Sequence, residues 1–328
     1  RTVIPTFERF LRYSTLFLGS FLPGILTPGT ADADTINVPA DQPVIQAGGN
    51  AASQGDTVLV APGEYHERIT LSGKSVTLAS WLLTTNNPEY VAQTIIDGSR
   101  RTVIKIDNTV GPGAAIIGFT IQNGENGILP NARFQLLNNR IINCVDGVDS
   151  GTGSGGVCHN NVFENNEDDG IDLDYDVDII IEDNTIRNNG DDGIEIRLHE
   201  YSGPLLNYTI RRNLIYGNAE DGIQIIDYPD TSNRVFHIER NVIYDNAMAG
   251  LGCMGDGNTD ENYEGASIPE PIYIINNTFA NNNHGITGGD NLVAVNNIIV
   301  NSERTAVKNT DGNSIVSFSI LWGEWSRF

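Results

Sequence analysis

Lysine, cysteine and positive charge are all scarce in this sequence of 328 residues. It contains 19 basic and 42 acidic residues, for a formal net charge of −23, and its only lysines are Lys74, Lys105 and Lys308. Phosphate groups would be repelled by such a chain, which excludes a nucleic-acid-binding protein. The charge favours a solvated surface, bound metal cations, or both.

The three cysteines are too few, and odd in number, for a framework of paired disulfides. Cys158 and Cys253 stand where other repeats of the chain carry Leu or Ile, so we interpret both as core residues. Cys144 has no such counterpart in the repeats.

Long hydrophobic segments are missing as well. The apolar run LFLGSFLPGIL at 16–26 is too short to span a bilayer, and Ala31-Asp32-Ala33 follows it as a small-x-small cleavage signature. We therefore expect residues 1–33 to be a secretory signal, residues 34–328 to form a single domain, and the mature protein to be secreted or at the cell surface without a membrane span. The alternative for residues 1–33 is a buried or flexible arm.

An asparagine followed by an apolar pattern recurs through the second half of the chain. The repeated positions are Asn139, Asn161, Asn184, Asn213, Asn241, Asn277 and Asn297, at intervals of 22, 23, 29, 28, 36 and 20 residues. A period of this length is typical of a solenoid with variable insertions. We expect the asparagines to bend the chain and to form hydrogen-bonded ladders between neighbouring coils.

Short β-branched segments between these asparagines predict strands and exclude helical repeats, and the leucine-rich repeat signature is absent. In addition, GDTVLVAPGEY and GKSVTL within residues 37–80 resemble the opening of bacterial right-handed parallel β-helix proteins. This resemblance covers residues 37 to about 320 and implies an all-β, right-handed parallel β-helix, a solenoid with a short N-terminal helical cap near residues 44–52. The scaffold itself does not specify a function.

Two acidic motifs, DDGID and DDGIE, occur 23 residues apart and therefore in phase within the repeat. Carboxylates in adjacent coils, roughly 4.8 Å apart, repel each other by about 1 to 4 kcal/mol per pair. A divalent cation would relieve this repulsion, and we predict Ca²⁺ bound by several of Asp168, Asp169, Asp172, Asp191, Asp192 and Glu195. The alternative is that acidic turns only keep the solenoid soluble.

The motif DDGIDL at 168–173 resembles the DDGFDL-type motif of the family 9 polysaccharide lyases. This resemblance implies that Asp168, Asp169 and Asp172 bind calcium and that the protein cleaves pectate. The catalytic lysine of that family has no counterpart here, since Glu195, Gln224 and Gly252 occupy the comparable column.

Candidate catalytic residues therefore come from the same coils, where Arg197, His199 and Glu195 lie close together in the sequence. Arg197 is interpreted either as the base-like group of a lyase or as the ion-pair partner of Asp174. Long insertions follow the same strand in three successive coils, at 198–206, 227–234 and 254–270, and we expect them to wall a groove. Candidate substrate-binding residues are Tyr201, Tyr228, Tyr263 and Arg211.

Three functions remain open from the sequence. The first is a secreted, calcium-dependent lyase acting on an acidic polysaccharide of the pectate or alginate type. The second is a non-catalytic surface or adhesion β-helix with structural calcium. The third is a glycoside hydrolase that uses a carboxylate pair such as Asp172 and Glu195.

Overall fold

The protein folds as a parallel β-helix, which confirms the predicted fold class. The computed structural model describes residues 33–228, 232–259, 261–263 and 268–323. In these ranges the chain forms three sheets, and neighbouring strands in each sheet run parallel. The expected signal segment at 1–33 lies almost entirely outside the described residues.

The strands are numbered in chain order, and each sheet collects one strand from each coil. Sheet A contains β1 (Thr35–Val38), β2 (Thr57–Val60), β5 (Thr77–Ser80), β8 (Ala114–Ile117), β11 (Arg133–Leu137), β14 (Gly155–His159), β17 (Asp178–Glu182), β20 (Tyr201–Arg211), β23 (Ser232–Glu239), β26 (Ile272–Ile275), β29 (Leu292–Val295) and β32 (Ile315–Ser317). Sheet B contains β3 (Gly63–Tyr65), β6 (Thr94–Asp97), β9 (Thr120–Gln122), β12 (Arg140–Ile142), β15 (Val162–Glu164), β18 (Thr185–Arg187), β21 (Leu214–Tyr216), β24 (Val242–Tyr244), β27 (Thr278–Ala280), β30 (Ile298–Val300) and β33 (Ile320–Trp322). Sheet C contains β4 (Ile69–Leu71), β7 (Ile104–Ile106), β10 (Asn126–Pro130), β13 (Asp146–Ser150), β16 (Ile171–Leu173), β19 (Ile194–Leu198), β22 (Ile223–Asp227), β25 (Ala249–Met254), β28 (His284–Thr287) and β31 (Thr305–Lys308).

From β2 onward, each complete coil passes through sheet A, then B, then C, before the next coil begins in sheet A. Side chains alternate along every strand, so one set fills the core of the helix while the other faces outward. In sheet C the inward column includes Val148, Ile171, Ile194 and Ile223, all fully buried. The intervening outward positions carry the acidic residues.

The asparagine ladder that the sequence predicts lies at the corner between sheets A and B. The amide N–H of Asn184 donates to Oδ1 of Asn213 at 2.9 Å, and Asn213 repeats this contact with Asn241 at 2.9 Å. The residue before each ladder position has a positive φ, for example 57° at Asp183 and 56° at Arg212. The residue before each ladder asparagine therefore turns the chain, and the buried asparagine itself links neighbouring coils.

A second buried asparagine ladder lies at the corner between sheets B and C, and the sequence analysis did not predict it. It runs through Asn166, Asn189, Asn218, Asn246 and Asn282. Cys144 occupies the same column one coil earlier, where its amide N–H donates to Oδ1 of Asn166 at 3.1 Å. This ladder explains the position of Cys144 and fixes the corner from which the acidic motifs emerge.

Three short helices occur in the described ranges: α1 (Ile45–Ala51), α2 (Leu82–Thr85) and α3 (Glu89–Gln93). Helix α1 is the expected cap, and the Glu67 carboxylate accepts the N–H groups of Ile45 and Gln46 at 2.8 and 2.9 Å. Glycine lowers helix propensity, so Gly48 is unfavourable for the helix considered alone. A larger residue would clash, however, because a Cβ at this position would lie 2.8 Å from a Val58 methyl group. Close packing of α1 on the first coil therefore requires glycine.

All three cysteines are buried and free, and Cys158 and Cys253 are the core residues that the sequence predicts. Cys158 pairs in register with Leu136 and Ile181, and Cys253 pairs with Ile225. None of the helices in the described ranges has the length and apolar character needed to cross a bilayer.

Candidate functional site

The acidic residues gather at the turn from sheet B to sheet C and on the outward face of sheet C. Asp149, Asp172, Glu195 and Gln224 are register neighbours in β13, β16, β19 and β22. This is the column that the sequence predicts. We call the outward surface formed by these strands and their preceding turns the acidic face.

The column nearer the turn is buried rather than exposed. Asp169, Asp192 and Asp221 form a ladder in which Oδ1 of each accepts the amide N–H of the next coil, at 2.8 Å for Asp192 N, 2.7 Å for Asp221 N and 2.5 Å for Ala249 N. Asp192 therefore has one oxygen committed to the backbone.

Burial raises the pKa of these carboxyl groups, and neighbouring carboxylates raise it further. The pKa of Asp172 reaches about 8 and that of Glu195 about 7, because desolvation disfavours both charged forms, although Arg197 opposes the shift of each. The pKa values of Asp169 and Asp192 are raised well above the ordinary value for the same reasons. A cation at this face would restore the charged forms.

Several groups of carboxylates among the described residues of the acidic face are arranged tightly enough to hold a metal ion, and two of them consist of residues that the sequence predicts as ligands. Oxygens of Asp169, Asp172 and Glu195 lie within 4.8 Å of one another, and so do oxygens of Asp168, Asp169 and Asp191. Both groups share Asp169, and Oδ1 of Asp172 and of Asp191 is buried without a hydrogen-bond partner. An all-oxygen donor set of this size fits the preference of Ca²⁺.

Arg197 lies over the acidic face and pairs with Glu195, with Nη2 2.7 Å from Oε1. Its side chain is about one-third exposed, and its Nε has no hydrogen-bond partner. Glu195, Asp172 and Asp174 outweigh desolvation and raise the pKa of the guanidinium above its ordinary value. The group stays protonated, so its environment favours stabilising a negative charge over accepting a proton.

His199 lies beside Arg197 in a three-ring stack. Its ring lies 4.3 Å from that of Tyr175 and 4.2 Å from that of Tyr228, measured between centroids. Nε2 of His199 is 3.6 Å from Oδ1 of Asp174. Tyr175 was missed because it lies in a short turn, with φ of 59°, outside the inserted loops.

The other candidate substrate-binding residues are not brought to this place. Tyr263 is 1% exposed, packs against Ile226 and Met254, and donates its hydroxyl to Asp221 Oδ1 at 2.5 Å. The described part of the loop around Tyr263 therefore packs onto the outer face of sheet C instead of presenting that ring to a groove.

Tyr201 and Arg211 both lie on sheet A. The Tyr201 ring lies 5.6 Å from the guanidinium carbon of Arg234, and Arg211 donates Nε to Glu182 at 2.7 Å. Of the four candidates, only Tyr228 reaches the ring stack of His199. Residues 229–231, 260 and 264–267 of the predicted loops lie outside the described residues.

The sequence analysis missed Glu220, an acidic residue in the coil that follows the two acidic motifs. Glu220 follows Asp191 in register, and hydrogen bonding of its carboxyl group to those of Glu261 and Asp191 adds to burial in raising its pKa to about 10. Gln224 Nε2 donates to Glu261 Oε1 at 2.9 Å. The signal for Glu220 was present in the sequence, where Glu220-Asp221-Gly222 repeats the acidic turn motif.

Comparison with known proteins assigns the chain to a family. The family model described as a right-handed beta helix region matches residues 92–259, more than half of the chain. No curated protein sequence matches the chain.

Solved structures share the fold at low sequence identity. The catalytic domain of a GH87 α-1,3-glucanase matches with a TM-score of 0.51 and 16% identity over 92% of this chain and 69% of that chain. A family 28 exopolygalacturonase of Yersinia enterocolitica matches with a TM-score of 0.50 and 13% identity over 91% and 76%. The A-module of an Azotobacter vinelandii mannuronan C-5 epimerase matches with a TM-score of 0.49 and 15% identity over 85% and 90%. At these identities the likeness concerns the fold alone, and it is the family match that shows the chain to belong to the right-handed β-helix family.

Proposed function

We propose that the protein is a carbohydrate-active enzyme that binds an acidic polysaccharide on the acidic face and cleaves it by β-elimination. The observation that carries this proposal is the convergence of chelating carboxylates, a protonated Arg197 and the His199–Asp174 pair on one outward surface. The glucanase and the exopolygalacturonase named above give weaker support, because they share this fold and their names describe enzymes that act on polysaccharides. We further propose that the protein is exported, as the apolar run at 16–26 suggests.

Asp169, Asp172 and Glu195 would hold a calcium ion, with Asp168 and Asp191 beside them. When bound, the ion would neutralise the uronate carboxylate and so make the proton α to that carboxylate easier to remove. A chain with net charge −23 would otherwise repel a polyuronate. Calcium binding is thus the condition for substrate binding in this proposal.

Arg197 has a free Nε donor and a charge fixed by its neighbours, so we assign it to the substrate carboxylate. His199 is assigned as the proton acceptor, since imidazole is the usual side chain for proton transfer near neutral pH. As the double bond forms, the bond to the glycosidic oxygen breaks, and that oxygen takes a proton from water. Asp174 faces His199 Nε2 and would stabilise the imidazolium that forms. Tyr175 and Tyr228 hold the imidazole ring between them.

The grouping of three carboxylates, rather than the spacing of two, favours cation binding over the glycoside hydrolase alternative. Retaining glycosidases separate their two carboxyl groups by about 5 to 5.5 Å, and inverting enzymes by about 6.5 to 9.5 Å. Oxygens of Asp172 and Glu195 lie within 4.8 Å of each other and of Asp169. This arrangement suits chelation of a cation better than placement of a sugar between an acid and a nucleophile.

The test is the absorbance of unsaturated products on polygalacturonate and alginate, with calcium and with a chelator. We expect product only with calcium. Arg197→Ala should abolish turnover but leave calcium binding intact, whereas Asp169→Asn should weaken both. Arg304→Ala, an exposed arginine on a distant coil, is the matched control and should retain activity. Full activity in Arg197→Ala would refute the catalytic assignment, and calcium-dependent binding without cleavage would favour the adhesion alternative.

A further inference from the structure

The last carboxylate of the buried aspartate ladder, Asp221, has one oxygen that the ladder does not use. Its Oδ1 accepts the Ala249 amide N–H and the Tyr263 hydroxyl, each at 2.5 Å. Its Oδ2 has no hydrogen-bond partner among the described residues, although Asp221 is 0% exposed. Buried polar atoms as a rule have partners, so Asp221 Oδ2 is a candidate ligand atom.

Asp221 Oδ2 lies on the outer side of sheet C and not in the core. Gly252 follows Gln224 in register in the outward column of this sheet. A Cβ at Gly252 would lie 1.6 Å from Asp221 Oδ2. The open oxygen therefore takes the place of the outward side chain that this column lacks in the β25 coil.

Three further side chains with oxygen atoms meet Asp221 on this side of the sheet. Gln224 donates Nε2 to Glu261 Oε1 at 2.9 Å, and its own Oε1 is buried without a partner in the described ranges. The carboxyl group of Glu220 is hydrogen-bonded to that of Glu261. Burial raises the pKa of Asp221 to about 8, and the nearby Glu261 carboxylate adds to the shift.

Solvent reaches this group of side chains through its two glutamates. Glu220 and Glu261 are both partly exposed, whereas Asp221 and Gln224 are buried beneath them. An ion can therefore reach Asp221 Oδ2 when the two glutamate carboxyl groups separate. Tyr263 holds the other oxygen of Asp221 in place, so the open one stays directed outward.

The chemistry of the group fits a divalent cation. Contact between two carboxyl groups requires a shared proton, and a cation can take the place of that proton. Ca²⁺ takes about six to eight oxygen ligands in flexible arrangements, from carboxylates, amides and water. A glutamine amide can present either its nitrogen or its oxygen to the same place, so Gln224 can serve as a ligand as well.

We propose that Asp221, Glu220, Glu261 and the Gln224 amide form a second Ca²⁺ site, one coil beyond the site assigned to Asp169, Asp172 and Glu195. The second site uses none of those three ligands and does not depend on the proposed reaction. Glu261 belongs to the loop that follows β25, and the other three ligands belong to the preceding coil. The ion would therefore tie this loop to sheet C.

The experiment is calorimetric titration of the full chain with Ca²⁺ after treatment with a chelator, with the number of bound ions as the readout. The unaltered protein should bind two ions. Glu261→Gln should weaken the binding of one ion about 10-fold or more, because a charged ligand is lost. Asp172→Asn should instead weaken the other ion, and Glu303→Gln, which changes an exposed acid several coils away, is the matched control and should still bind two.

Glu220→Gln is the second test of the same site and should act like Glu261→Gln. Two ions bound with unchanged affinity in both variants would overturn the second site. So would a single ion that is lost in Asp172→Asn but kept in Glu261→Gln and Glu220→Gln, a result that leaves the first site intact. A single ion with the opposite dependence would support the second site and refute the first, and no binding to the unaltered protein would refute both.

Discussion

Raising the pH in the absence of a cation should destabilise the protein through the buried carboxyl groups of the acidic face. Burial raises the pKa of Asp221 to about 8 and that of Asp172 to about 8, from an ordinary value of 3.8. Because the folded-state pKa lies above the unfolded-state value, the stabilising contribution is complete below about pH 4. It is then lost progressively as the pH rises towards 8.

The size of the effect follows from the shift in pKa. Each pH unit between the two pKa values changes the free energy of unfolding by about 1.4 kcal/mol per group, so one carboxyl costs about 4 kcal/mol between pH 5 and pH 8. Neighbouring carboxyl groups in the ladder do not titrate independently. We therefore take the change in the free energy of unfolding for one group as the value for the whole cluster. At about 2 °C per kcal/mol, the Tm in a chelator should fall by about 8 °C.

Calcium should reverse the loss. A ligand at 1,000 times its Kd stabilises the native state by about 4 kcal/mol, which matches the cost at pH 8. The stabilisation should be smaller at pH 5, because protons compete with the ion for the carboxylates. Scanning calorimetry at both pH values, with calcium and with a chelator, measures all four conditions.

The matched variants locate the effect. Asp169→Asn combined with Asp192→Asn removes two further carboxyl groups whose pKa is raised, and should reduce the pH dependence and the calcium shift. Glu303→Gln, which changes an exposed acid several coils away, should change neither. A Tm in chelator that is the same or higher at pH 8 than at pH 5 would refute the reasoning. So would an undiminished calcium shift in the double variant.

Three further predictions concern the scaffold. Asn213→Ala should lower the free energy of unfolding by about 3 kcal/mol in a denaturant titration, because it leaves the Asn184 amide N–H and the Ile181 carbonyl without their partners; a loss below about 1 kcal/mol would contradict the ladder. Gly48→Ala should cost about 1 to 3 kcal/mol by the same titration, since its Cβ would lie 2.8 Å from a Val58 methyl group, and a stabilised variant would show that α1 is not tightly packed. None of the three cysteines should react with iodoacetamide in the native protein, because all are buried and burial raises the thiol pKa of Cys144 to about 12; mass spectrometry should find labels only after denaturation.

Much of the fold and of the acidic face could be predicted from the sequence because the position of a residue within the coil repeat decides which residues lie next to it. Coils stack in register, so residues at equal distance from a ladder asparagine become neighbours, as Asp172 and Glu195 do. The second ladder was equally visible in the sequence through Asn189 and Asn218, but nothing in the sequence indicated that these side chains turn inward. A repeated polar residue can face either way.

The inserted loops do not follow the coil repeat, so the sequence could not show where their tyrosines would lie. Tyr228 directly follows β22 and joins the ring stack of His199, whereas Tyr263 lies nine residues beyond β25 and is buried against Asp221. The sequence also could not show which way the Arg197 side chain points. In the structure its close ion-pair partner is Glu195 and not Asp174. Residues held by the coil were therefore predictable, and residues held by loop packing were not.

The most direct test of the central claim is polyuronate binding at the acidic face, measured by calorimetry with polygalacturonate and alginate at pH 8. The account predicts binding to the unaltered protein in calcium, no binding in a chelator, and no binding to Asp172→Asn in either condition. Equal affinity with and without calcium, or retention of calcium-dependent binding by Asp172→Asn, would contradict it.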